Sequence, residues 1–102
     1  MRETDIAGTD YETVAAGQTD QVLGSTGAAG DMLRGITVCP ATTSPGAVQI
    51  KDGGGSAITV FTGGTVADIK PFYIHLGIRS RTGPWKLTTG SNVSAIGIGE
   101  FV

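Results

Sequence analysis

The sequence predicts an all-β chain: a small antiparallel β-sandwich of jelly-roll type over residues 21–102, behind an extended N-terminal arm of residues 1–20. Three observations predict it. Over residues 71–80, Phe72, Ile74, Leu76 and Ile78 share one parity, while Tyr73, His75, Gly77 and Arg79 share the other. That period of two puts one face of a strand in a core and leaves the other to solvent or a partner. Similar runs recur every 8–12 residues or so between turn signals, giving about seven strands and no convincing helix. The chain also holds 17 glycines and only 16% charged residues, so the Glu and Lys of solvent-facing helices are scarce. Its hydrophobic residues alternate rather than scatter, which describes ordered β structure and not disorder.

Each element follows in turn. Residues 1–20 have no period; Ile6, Tyr11 and Val14 stand alone among acids, Thr and Gly, as in an arm ordered against a neighbour. Residues 21–23 make a short strand and 24–30 a small-residue loop. Residues 31–39 form a long strand whose phase slips at Gly35, the mark of a bulge, and Pro40 closes it. Residues 47–51, with Val48 and Ile50 inward, and 57–61 flank the Gly-rich turn 52–56 as a hairpin. The strand at 71–80 comes next, then a loop of hairpin length at 80–84. Residues 85–89 follow with Trp85 and Leu87 inward. In the last strand Ile96 and Ile98 share one parity and Ala95, Gly97 and Gly99 the other. Three small residues on one side admit a close neighbour, for which Trp85 and Phe101 are candidates.

The sequence offers little site chemistry. His75 is the sole histidine and Cys39 the sole cysteine, and neither has the context of a nucleophile and its base, so no catalysis is expected. Cys39 is read as a buried structural thiol. No ligand spacing for a metal or phosphate loop occurs, so no metal or cofactor is expected. The start of the chain lacks the apolar core of a signal peptide, and no run reaches the roughly 20 apolar residues of a membrane helix. Synthesis in a cytoplasm, without membrane association, is the expectation.

Charge is distributed unevenly. Residues 1–31 hold Glu3, Asp5, Asp10, Glu12, Asp20 and Asp31 against Arg2; residues 32–102 hold six bases against three acids. The acidic segment is therefore read as lying on a basic face of the same or a neighbouring subunit. Chance placement of surface charge accounts for the counts equally well. Lys70, Tyr73, His75, Arg79, Arg81, Trp85 and Lys86 mix bases with aromatics as single-strand nucleic-acid sites do. With a net charge of −2 a protein partner outranks nucleic acid, and a solvated face accounts for the same residues.

Several stretches resemble the small head-decoration (cement) proteins of tailed bacteriophages. They are the acidic, Thr-rich opening, Thr37-Val38-Cys39-Pro40, the 52–56 hairpin, Asp68-Ile69-Lys70-Pro71-Phe72 and Trp85-Lys86-Leu87-Thr88-Thr89-Gly90. The resemblance implies a β-rich virion protein on the outside of an icosahedral capsid. It would bind the major capsid protein, often as a trimer at local three-fold positions, and some such proteins reach an adjacent subunit with an N-terminal arm. The expected partner-facing residues are Glu3, Asp5, Asp10, Tyr11, Glu12, Tyr73, His75, Arg79 and Arg81. A carbohydrate-binding module, with Trp85 or Tyr73 as its aromatic platform, is the alternative; a small hydrolase stands third.

Overall fold

A computed structural model describes residues 10–41, 44–64 and 70–102. The described residues form eight strands and no helix. They are β1 (Asp10–Val14), β2 (Gln21–Val22), β3 (Met32–Pro40), β4 (Val48–Asp52), β5 (Ile58–Phe61), β6 (Phe72–Arg79), β7 (Trp85–Thr89) and β8 (Val93–Glu100). All pairings are antiparallel, in two four-stranded sheets ordered β1-β8-β3-β6 and β2-β7-β4-β5.

The inner faces of both sheets supply one core. The first sheet contributes Val14, Leu33, Ile36, Val38, Val93 and Ala95, and the second Val48, Ile50, Trp85 and Leu87; Leu23 and Phe101 join them. Two sheets sharing an apolar cluster in this way form a sandwich. Trp85 is only 2% exposed, and its indole N–H donates to the Asp31 carbonyl at 3.0 Å. A buried indole needs such an acceptor.

In β8 the small residues face the core. A Cβ at Gly97 would meet Leu23, and one at Gly99 would meet Phe101 and the Met32 carbonyl. Phe101 and Leu23 are therefore the close neighbours, and Ile96 and Ile98 point outward, half-buried. The slip at Gly35 is a bulge. Between Leu33 and Gly35, β3 changes register against both β6 and β8.

Four expectations need correction. The arm is not an arm throughout: Asp10–Val14 is an edge strand paired with β8, while residues 1–9 lie outside the described residues. Residues 80–84 do not close a hairpin; they carry the chain from β6 in one sheet to β7 in the other. Cys39 is half-exposed, because it pairs with Ser94 on the outer face of the first sheet. Ile78 has the inward parity yet is 39% exposed. Its strand is at an edge, and the facing edge strand, β5, is half as long.

Candidate partner-binding surface

Register assigns the outer face of the first sheet residue by residue, since directly paired residues share a face. Tyr11 pairs with Ile98 and Thr13 with Ile96. Ile98 pairs with Gly35, Ile96 with Thr37 and Ser94 with Cys39. Gly35 pairs with His75 and Thr37 with Tyr73. One continuous outer surface therefore runs from Tyr11 on β1, over Ile98 and Ile96, to Tyr73 and His75 on β6. Three strand spacings, about 14 Å, separate its ends.

Tyr73 lies down on this surface. A Cβ at position 35 would collide with the Tyr73 hydroxyl and ring, so only glycine leaves the space the tyrosine fills. The ring remains 48% exposed and stands 6.4 Å from that of His75, centroid to centroid. Tyr11, at 73%, is the most exposed large apolar side chain among the described residues. The outer face of the first sheet thus carries three of the expected partner-facing residues: Tyr11 at one edge, and Tyr73 and His75 at the other.

The other expected residues go elsewhere. Asp10 and Glu12 have the opposite parity on β1 and line an open cleft of about 730 Å³ with Gly24, Ser25, Phe101 and Val102, and Tyr11 borders it too. Glu12 accepts a hydrogen bond from the Gln21 amide at 3.1 Å. Arg79 and Arg81 line a second open cleft, of about 660 Å³, with Asp52, Ile58, Ile78 and Trp85. Arg79 donates to the Gly30 carbonyl at 3.1 Å. Glu3 and Asp5 lie outside the described residues. Within the chain, Asp20 of the acidic segment lies 3.5 Å from the Lys51 ammonium.

Asp52 organises the second cleft. Its carboxylate accepts the Arg81 backbone N–H at 2.9 Å and the Thr82 N–H at 3.1 Å, tying the β4–β5 hairpin to the β6–β7 loop. Partial desolvation pushes its pKa upward, but hydrogen bonds from Arg81, Thr82 and Gly83 together outweigh that and hold it below the ordinary value.

Ile58 and Ile78 are additions that sequence reasoning did not single out as a surface. Both have core parity, since Ile58 pairs with Ile50 and Ile78 with Leu33, yet Ile58 is 50% exposed. The alternation marks them as inward, and only the strand order reveals that they sit at open edges. Among the described residues no group of three or more His, Cys, Asp or Glu side chains could hold a metal ion, and no helix is long and apolar enough to cross a membrane. No family model, curated protein or solved structure matches the chain.

Proposed function

We propose that this chain is a virion structural protein that binds the outer surface of an icosahedral capsid and bridges neighbouring major capsid subunits. The observation that carries the reading is that Tyr11, Tyr73 and His75 share one sheet face, with Ile96 and Ile98 between its edges. An aromatic and aliphatic centre bordered by polar groups has the composition of a protein interface. Tyrosines also lose little conformational entropy on contact. Many copies of a modest interface sum on a shell through high effective concentration, so the shell opens only when several contacts break together. The strand orders β1-β8-β3-β6 and β2-β7-β4-β5 support a jelly-roll arrangement of the sandwich, which is common in capsid proteins. A trimer would present three such faces at once.

The test is sedimentation of the purified chain with heads of its phage that lack it. Saturable binding and a raised rupture temperature of the heads support the proposal, and absence of binding at low and physiological salt overturns it.

The carbohydrate-binding alternative rests on one observation, the half-exposed Tyr73 ring laid flat on Gly35. Trp85 cannot serve it, being buried. Saturable glycan binding by a monomer, abolished by Tyr73→Ala, with no affinity for heads, would replace the capsid reading.

A further inference from the structure

The two open sides of the sandwich carry opposite charge. On the side of β1, the cleft holds Asp10 and Glu12 beside exposed Tyr11. On the side of β5 and β6, the cleft holds Arg79 and Arg81 against the one acid Asp52, beside the exposed aliphatic residues Ile58 and Ile78. Among the described residues, neither the two acids nor the two arginines form an ion pair.

The clefts also sit at the same end of the first sheet. Asp10 pairs with Gly99, Gly99 with Leu33 and Leu33 with Ile78, one row across all four strands. Sliding a copy along that row carries its Asp10 to Ile78 and Arg79 of the first without any offset along the strands. Strand polarity agrees. Four strands in strict alternation leave β1 and β6 running in opposite directions, so the sliding copy presents its β1 antiparallel to β6. Among the described residues both are edge strands, each with a strand neighbour on one side only.

We propose that copies of this chain associate side by side, the acidic β1 side of one docking on the basic β5/β6 side of the next. Joining like sides would set Arg79 and Arg81 against themselves, or Asp10 and Glu12 against themselves, at a like-charge cost. The contact is therefore heterologous, and a suitable rotation between copies closes it into a ring. It covers Ile58 and Ile78 and removes their apolar surface from water. Opposite the slip at Gly35, β6 carries one extra residue between His75 and Ile78, and Gly77 within it lies in the left-handed region at φ 68°. This contact is made by the sandwich's open sides and not by the outer face assigned to the capsid; Tyr11 borders both, and the contact stands if the capsid assignment fails.

Sedimentation equilibrium on the full chain at about 100 µM, in about 0.05 M and about 0.5 M salt, tests it. The wild-type chain associates, and more weakly in high salt. Reversing the acids (Asp10→Lys with Glu12→Lys) or the bases (Arg79→Glu with Arg81→Glu) weakens association about tenfold or more. Each variant is first shown by circular dichroism to melt as a folded chain. The decisive arm mixes the two: one then has two basic sides and the other two acidic sides, so the mixture associates where neither does alone. A monomeric wild type, reversed variants that associate as well as wild type, or a mixture that stays monomeric each overturns the proposal.

Discussion

Tyr73 can rest on the sheet only because Gly35, its neighbour on the paired strand, has no side chain. The requirement is steric: a Cβ there meets the tyrosine ring and the Ile74 carbonyl. Gly35→Ala is therefore expected to lift the ring and destabilise the fold by about 1–3 kcal/mol in urea unfolding, the usual range for overpacking. Adding Tyr73→Ala should recover part of the loss; no recovery would mean that the ring is not the obstacle. Asp52 acts through its charge. Because its folded pKa is lowered, its contribution is complete above the unfolded value near 3.9 and is lost as pH falls through the folded value. Melting temperature should thus drop below about pH 4, and Asp52→Asn should flatten that acid limb. Superimposable acid limbs would show that the Arg81 and Thr82 contacts do not depend on ionisation. Both residues are visible in the sequence as a glycine at a phase slip and an acid before a turn. Their partners, Tyr73 and residues 81–82, are 38 and 29 or more positions away and are not legible there.

At the scale of elements, β6 and β1 show what alternation does and does not carry. In β6 the apolar parity was legible, and Phe72, Ile74 and Leu76 do pack against the core. The strand's position at an edge was not legible, because the period records which face is apolar and not how long the strand opposite is. In β1 the strand itself was missed. Its core parity reads Asp10, Glu12, Val14, and only Val14 reaches the core; the two acids look into a cleft at the open side. A strand with polar residues at inward positions shows no period. The C-terminal segment braces both. Phe101 is 9% exposed against Gly99, and the Val102 carbonyl accepts the Thr26 and Gly27 amides at 3.0 and 2.7 Å. Phe101→Ala is expected to cost about 3–5 kcal/mol by chemical denaturation. A loss under about 1 kcal/mol would show that the 24–27 loop holds without the ring.

At the scale of the molecule, the two proposed contacts fall on different parts of the sandwich, the outer face and the open sides, where composition alone shows one acidic and one basic half. If the outer face meets the capsid, replacing both Tyr73 and His75 by Ala should weaken binding to heads by about 30-fold or more, the scale of an interface anchor. Self-association should persist, and stability should change little for such exposed side chains. Equal loss of both activities would show that the two surfaces are one. The sequence by itself determined the all-β class, the positions of seven of the eight strands among the described residues, the bulge at Gly35 and the inward side of Val48, Ile50, Trp85 and Leu87. These follow from local chemistry: a period of two, turn residues and small side chains act over a few positions. Only the tertiary structure decided that residues 80–84 change sheets, that Asp10–Val14 closes one edge, and that Tyr11 shares a face with Tyr73. Those outcomes depend on which strands become neighbours. Strand order is set by the packing of the whole core, to which no single stretch of chain holds the answer.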